Sequence, residues 1–367
     1  MRFLGTAQGW PYLLTPFIPA AIALDLAHAS AGLIFFVAAL GIIPTAALMG
    51  LATEELASRA GPGIGGLLNV TFGNAPELII ALFALGEGLH EVVKASIIGS
   101  IIGNVLLVLG AAMFVGGINR DRQTYSMTAS SVQASMLFVA AAALVMPAIF
   151  ELVEGRGLPS PSAERVDFGS TVEHLSVAVA CVLIVTYLAG LLFSLRTHRD
   201  LFNPVHEEEE EGQLGWSVRR SVVMLALAGL AVGVMSEILV GSISEASESV
   251  GLSEFFIGVI VVAIVGNAAE HWVAVLVAHK NKMDLAVNIA IGSAAQIALF
   301  VGPVLVIASF ALGPGPMPLV FNGFELGAVL IAILIANLVT RDGESNWFEG
   351  VQLLGLYVIL AIAFAYA

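Results

Sequence analysis

Apolar runs of about twenty residues, the length a helix needs to cross a bilayer, follow one another along almost all of this 367-residue sequence. With 58% hydrophobic residues, 11% charged residues and a mean hydropathy of +0.96, too little polar material remains to surface a soluble domain. An all-α integral membrane protein is expected. Its eleven spans are expected at about 10–27, 31–53, 62–86, 93–118, 127–150, 174–195, 217–244, 253–279, 284–312, 320–340 and 347–367.

Alternating sides from the N-terminus sorts the basic residues unevenly. Arg2, Arg59, Arg120, Arg122, Arg196, Arg199, Arg219, Arg220, Lys280, Lys282 and Arg341 fall on one side, and only Lys94, Arg156 and Arg165 on the other. The positive-inside rule then places the N-terminus in the cytoplasm and, with an odd number of spans, the C-terminus outside. Arg2 followed by an apolar stretch could suggest a signal peptide. Pro11, Pro16, Pro19 and Asp25, with no small-residue cleavage site, argue instead for a retained first helix. Cys181, the single cysteine, lies inside a span and makes no intrachain disulfide. A net charge of −14 excludes general nucleic-acid binding and suits a protein that meets cations.

One sentence occurs twice in this chain. "GNAPELIIALFAL" at 73–85 returns as "GNAAEHWVAVLVA" at 266–278, so that Gly73, Asn74, Ala75 and Glu77 match Gly266, Asn267, Ala268 and Glu270. At the same offset, and without a gap, Gly99 and Ser100 of "IIGSIIGNVLLVLG" match Gly292 and Ser293 of "AIGSAAQIALFVGP". The copies lie five crossings apart, so the repeat is inverted. Inverted halves that meet at the bilayer midplane are an architecture of secondary transporters. The expected division is an extra helix at 1–30, a five-helix half at 31–195, an acidic linker at 196–216 and a second five-helix half at 217–367.

A carboxylate in the middle of a span costs about 2.5 kcal/mol or more, so it faces the protein interior or water and takes a partner. Asn74 and Glu77, like Asn267 and Glu270, are three apart and share a helix face. Pro76 removes a backbone N–H, which is expected to leave the Phe72 carbonyl free for an ion. The second copy has Ala269 there, with Gly266 able to support a break. Ser100 with Asn104, and Ser293 with Gln296, add oxygens from neighbouring spans. A set made only of oxygen ligands suits Ca²⁺ or a similar hard ion. Desolvation and like charge both favour the neutral acid, so protons would compete with Ca²⁺ for the pair. A site holding two protons or one Ca²⁺ is neutral and can be enclosed, whereas the empty dianion resists leaving water. His271 beside the second glutamate is a candidate proton carrier or a packing residue, and small residues such as Ser100 and Ser293 also serve helix packing.

The paired motifs resemble the signature repeats of Ca²⁺/H⁺ antiporters, a branch of the cation/Ca²⁺ exchanger superfamily, over essentially the full chain. The resemblance implies a fold of one extra helix plus two inverted sets of five. It implies that Glu77 and Glu270 bind Ca²⁺ and carry protons beside Asn74, Asn267, Ser100, Ser293 and Gln296, with Ca²⁺ as transported ion and no cofactor. Na⁺/Ca²⁺ exchangers are similar too, but typically carry Thr and Ser where Asn74 and Ala75 stand, which disfavours Na⁺ sites. The extended N-terminal region of plant vacuolar members has no counterpart ahead of the first span, and a prokaryotic cell membrane is expected.

Two other readings are weaker. "HEVVK" at 90–94 falls short of a zinc-protease HExxH because Lys94 occupies the second histidine's place, and a passive channel is distinguished only by whether transport runs uphill. Glu54 and Glu55 near the inner end of span two, and Glu237 near the outer end of span seven, are expected to form acidic vestibules, although Glu54 or Glu55 could equally pair with Arg59. Between the halves, Asn203 and Pro204 suit a helix start, and Glu207, Glu208, Glu209, Glu210 and Glu211 follow. Such a run is either a solvated segment or, as the resemblance implies, an acidic helix that gathers cytosolic Ca²⁺. Replacing all five with Gln is expected to leave exchange intact but to change its rate or Ca²⁺ dependence. Unchanged kinetics at limiting Ca²⁺ would reduce the run to a solvated loop.

Overall fold

The computed structural model describes residues 9–161, 168–197 and 215–367, so the acidic run at 207–211 lies outside the described residues. Helices account for nearly everything described. After a short 3₁₀ turn at Trp10–Leu14 come α1 (Phe17–Leu26), α2 (Ala31–Gly73), α3 (Ala75–Gly86), α4 (His90–Gly117), α5 (Met127–Val153) and α6 (Ser170–Thr197). The second half holds α7 (Val218–Gly241), α8 (Ile243–Val250), α9 (Glu254–His279), α10 (Met283–Ala308), α11 (Gly323–Val339) and α12 (Trp347–Ala365). Among the described residues, eight helices are long and apolar enough to cross a membrane, and three shorter apolar ones, Trp10–Leu26, Ala75–Gly86 and Gly323–Val339, complete the eleven expected spans.

Spans two and three, expected as separate, run together in α2. The chain nevertheless reverses inside it. Gly65 packs directly on the carbonyl of Ala57, eight residues upstream, whereas a straight helix would place them about 12 Å apart. Only a residue without a side chain tolerates that approach.

Contacts between loops fix which helix ends share a face. The two-residue strands β1 (Gln123–Thr124) and β2 (Glu344–Ser345) pair antiparallel, and Arg122 reaches Glu344 at 2.9 Å. Gln123 Nε2 donates to the Ala278 carbonyl at 3.0 Å. The loops after spans four, eight and ten therefore lie together, as alternation requires. On the opposite face Lys94 Nζ donates to the Val320 carbonyl at 2.8 Å, pairs with Glu91 and lies 5.8 Å from the Phe168 ring. That contact set answers the question posed by "HEVVK": the ammonium is buried and holds together the start of α4, the segment before α6 and the segment leading into α11. Arg156, the other described basic residue on this face, pairs with Glu151 at 3.2 Å.

At the centre are α4 and α10, the spans carrying the Gly-Ser blocks. Every residue from His90 to Ile102 is buried, as expected of a helix that is apolar on all sides and surrounded by others. Outer helices turn Val182, Val185 and Leu188 of α6 and Val358, Ile359 and Ile362 of α12 outward, more than half exposed, a surface that suits lipid and not water. Both central helices pass into π-helical geometry at equivalent places, Gly103–Val108 and Ile297–Val301, and such turns often mark functional sites.

Close packing depends on small residues, because lipid supplies no hydrophobic drive between helices. A methyl group at Gly350 of α12 would sit 2.6 Å from the Gly110 carbonyl oxygen of α4 and overlap the Phe114 nitrogen. Gly350→Ala is expected to destabilise the protein by about 1–3 kcal/mol, read as a lowered unfolding temperature in detergent. Gly355→Ala, on the same helix with nothing within 4 Å, is the control that should melt like wild type.

Candidate functional site

The two signature motifs meet. Gly73 lies so near the other half's carboxylate that a Cβ there would be 3.3 Å from Glu270 Oε1, and a Cβ at Gly266 would be 3.2 Å from Glu77 Cγ. Each glycine thus makes room for the glutamate of the opposite repeat, and the two carboxylates are close enough to interact electrostatically. The sequence reading assigned these glycines to helix breaks. Their closer role is clearance.

A polar network crosses the interface between halves. Asn74 Nδ2 donates to Gln296 Oε1 at 2.6 Å, and Ser293 Oγ donates to Asn74 Oδ1 at 2.9 Å. Asn104 Nδ2 donates to Ser293 Oγ at 3.3 Å, and Asn267 Nδ2 to Ser100 Oγ at 3.2 Å. Ser100, Asn104, Ser293 and Gln296, each expected to add an oxygen here, all bond residues of the other repeat. Asn74, Ser100, Asn104, Asn267 and Ser293 are all buried. Among the described residues, Glu77 Oε2, Asn104 Oδ1 and Asn267 Oδ1 are buried without a hydrogen-bond donor. Two orphaned amide oxygens and two carboxylates, one of which has an unpaired oxygen of its own, are the kind of ligand that hard cations favour.

The local backbone differs between copies. In the first, α2 ends at Gly73, Asn74 leaves helical geometry (φ −96°, ψ 18°), and α3 restarts at Ala75 with Pro76 in its first turn, where proline fits. The Phe72 carbonyl, expected to be free, accepts the Asn74 N–H. In the second, the helix runs without a break from Ala263 to His279, after a π-helical stretch at Ile257–Val262. The break is therefore confined to the proline-bearing copy.

A cavity of about 270 Å³ reaches this network from one side. Its wall includes Glu270, Ser293, Gln296, Gly73, Gln133 and Asn288, and it ends near Ser194 and Leu285, close in sequence to Arg196 and Lys282. Gln133 of α5 and Asn288 of α10 bond each other across it. Neither was singled out from the sequence, although both are polar residues inside apolar spans, which was the available signal. His271 follows Glu270, and its Nε2 is buried without a partner among the described residues. Its neighbour Trp272 packs edge-on against Trp10 at 5.7 Å.

The vestibule residues separate. Glu54 and Glu237 are exposed, but Glu55 is buried at 1% exposure and its Oε2 accepts the Trp216 N–H at 2.9 Å. It ties the inner end of span two to the start of α7 instead of lining a vestibule.

A family profile described as sodium/calcium exchanger protein matches residues 30–196 and 220–366. A Ca²⁺/H⁺ antiporter of Synechocystis sp. is 47% identical over 346 residues, covering 90% of each chain. A Ca²⁺/H⁺ antiporter of Bacillus subtilis is 45% identical over 350 residues, covering 95% of this chain and 96% of its own. Among solved structures, native YfkE superimposes with a TM-score of 0.81 at 40% identity, covering 97% of this chain and 100% of its own. The H⁺/Ca²⁺ exchanger CAX, at 15% identity and a TM-score of 0.71 over 99% of this chain and 93% of its own, shares the fold.

Proposed function

This chain belongs to the sodium/calcium exchanger family, and from that premise we propose that it is a secondary active antiporter exchanging Ca²⁺ for H⁺ at Glu77 and Glu270. The observation that carries the reading is the reciprocal seating of the two carboxylates, with orphaned amide and carboxylate oxygens around them. One Ca²⁺ cancels both charges, and so do two protons. Either load leaves a neutral site that can be shut off from water, whereas the unloaded dianion keeps its access to solvent because desolvating two like charges is unfavourable. That asymmetry couples the ions: the site changes sides only when loaded, and one load displaces the other.

Within the network, Gln296 and Ser293 hold the Asn74 amide in place, and Asn267 and Asn104 offer their free carbonyl oxygens to the ion. Phe72, with its carbonyl engaged by Asn74, acts through the helix break and not as a principal ligand. His271, next to Glu270 in the chain and with a buried, unpartnered Nε2 among the described residues, is the group through which a proton could pass to that carboxylate. The cavity opens beside the basic flank that the positive-inside rule assigns to the cytoplasm, so the conformation described is one facing inward, in a cell membrane of prokaryotic type with the N-terminus inside. The 196–216 segment is read as the acidic linker between the halves.

The Na⁺-coupled alternative is less well supported, since the relatives at 45–47% identity are named for H⁺ and Asn74 and Ala75 provide no paired hydroxyls. Protons need no separate cage. In reconstituted vesicles acidic inside, ⁴⁵Ca²⁺ should accumulate without Na⁺ and cease to accumulate when the pH gradient is collapsed. Glu77→Gln and Glu270→Gln should each abolish accumulation while the protein remains folded, because a single buried carboxylate leaves Ca²⁺ with an uncompensated charge. Substantial uptake by either variant would sink the two-carboxylate account, and uptake that ignores pH but needs an outward Na⁺ gradient would reassign the coupling ion.

A further inference from the structure

Charge has to balance inside an apolar bundle, and at the outer end of this one the described side chains leave a surplus. Glu91, Lys94 and Glu325 are 6%, 1% and 0% exposed, and both Lys94 and Glu91 are close enough to act electrostatically on Glu325. Two carboxylates share one ammonium. With every group ionised, one negative charge is enclosed without a counter-ion.

The hydrogen bonds show where the surplus falls. Lys94 Nζ is committed to Glu91 and to the Val320 carbonyl. Glu325 stands in the first turn of α11, where its Oε2 accepts the Asn322 N–H at 2.8 Å and Asn322 Oδ1 accepts the Glu325 N–H at 2.9 Å, a capping box. Its other oxygen, Oε1, is buried and accepts no hydrogen bond among the described residues. Capping alone does not demand this burial, since Glu349 makes the same box with Asn346 at the start of α12 while partly exposed. The neighbouring elements bring no spare cation. Arg156 pairs with Glu151 of α5, Glu87 after α3, Glu173 of α6 and Glu254 of α9 are carboxylates that reach the surface, and His174 is exposed. His90, buried beside Glu91 in the chain, is the one other titratable group enclosed with the cluster among the described residues.

We infer that Glu91, Lys94 and Glu325 form a proton-binding site separate from the central pair, with one proton held at Glu325 Oε1 while Lys94 stays charged between Glu91 and Val320. A proton suits the place because it needs neither a ligand cage nor room, and the neutral acid keeps its bond to Asn322 through Oε2. A buried O–H short of an acceptor costs less than a buried carboxylate with one oxygen unsatisfied. This proton lies apart from Glu77 and Glu270, so Ca²⁺ arriving there does not displace it. Its loss leaves a bare charge between α4 and α11 and loosens their hold on each other, which makes this end of the protein sensitive to pH.

Linkage supplies the test, because a folded protein that holds a proton its unfolded chain has lost becomes less stable as pH rises. Melting is followed in detergent between about pH 5 and about pH 9 on full-length Glu77→Gln/Glu270→Gln protein, in which the central pair cannot contribute. Adding Glu325→Gln, which resembles the neutral acid and keeps an oxygen for Asn322, should remove a fall of about 2 °C per pH unit and leave melting at the acid end unchanged. Adding Lys94→Met instead leaves two carboxylates without a counter-ion and should steepen the fall by a similar amount. A slope unchanged by Glu325→Gln would overturn the assignment and reduce the cluster to an ion pair that holds helix ends. Flattening by His90→Gln and not by Glu325→Gln would overturn it too, by moving the proton to the histidine. If Glu325→Gln does not fold, Lys94→Met decides, and a slope equal to the parent's overturns the site. The comparison needs no transport, so a wild-type protein that moves no Ca²⁺ against H⁺ would count against the antiporter reading while the melting slopes still judge the proton site.

Discussion

Two carboxylates facing each other in the middle of an apolar bundle, each seated against the bare Cα of the other half's glycine, are the constraint to which the rest of the molecule answers. Neither repeat can build this arrangement alone, because the glutamate of one needs the glycine of the other. The halves must therefore cross at the motifs, and the helices that carry the Gly-Ser blocks must fill the space immediately beside them. That requirement puts α4 and α10 at the centre and leaves the long, evenly apolar α5, α6, α7 and α12 to face lipid.

Polar groups at such depth are tolerated only when each has a partner or a purpose. Most here have a partner: Asn74 with Gln296 and Ser293, Asn267 with Ser100, Asn104 with Ser293. The amide donors of these side chains are spent within the protein, while Asn104 Oδ1, Asn267 Oδ1 and Glu77 Oε2 keep unpaired acceptor oxygens. Such a surplus of acceptor oxygen is what the proposed exchange of cations would use. Lys94 shows the other solution to the problem of buried charge, an ammonium held by Glu91 and a backbone carbonyl, and it joins helix ends away from the two glutamates.

Much of this was legible in the sequence because it is written in periodicity and repetition. Eleven apolar segments are visible from span length, and the meeting of the two motifs is anticipated by the "GNA" repeat with its gapless offset; these are properties of the chain itself. What depended on tertiary context was not legible. Pro76 announces a break, but nothing local says that Gly266 would continue as helix. Glu55 reads as a vestibule acid until Trp216 is seen to fold back onto it, and nothing local says that Ser293 would bond Asn74 and Asn104 of the other repeat. Gln133 and Asn288 were visible as polar residues in apolar spans, yet only their approach across the cavity gives them a place on the route to Glu270.

The central claim is that Ca²⁺ and protons occupy the same two carboxylates by turns, and proton release on binding tests it most directly. Adding Ca²⁺ to purified protein in weakly buffered detergent solution, with a pH indicator, should release protons in proportion to the Ca²⁺ bound. The ratio should rise as the starting pH is lowered, and the release should be lost in the Glu77→Gln/Glu270→Gln double variant. Ca²⁺ binding at these residues without release of protons at any starting pH would contradict the account.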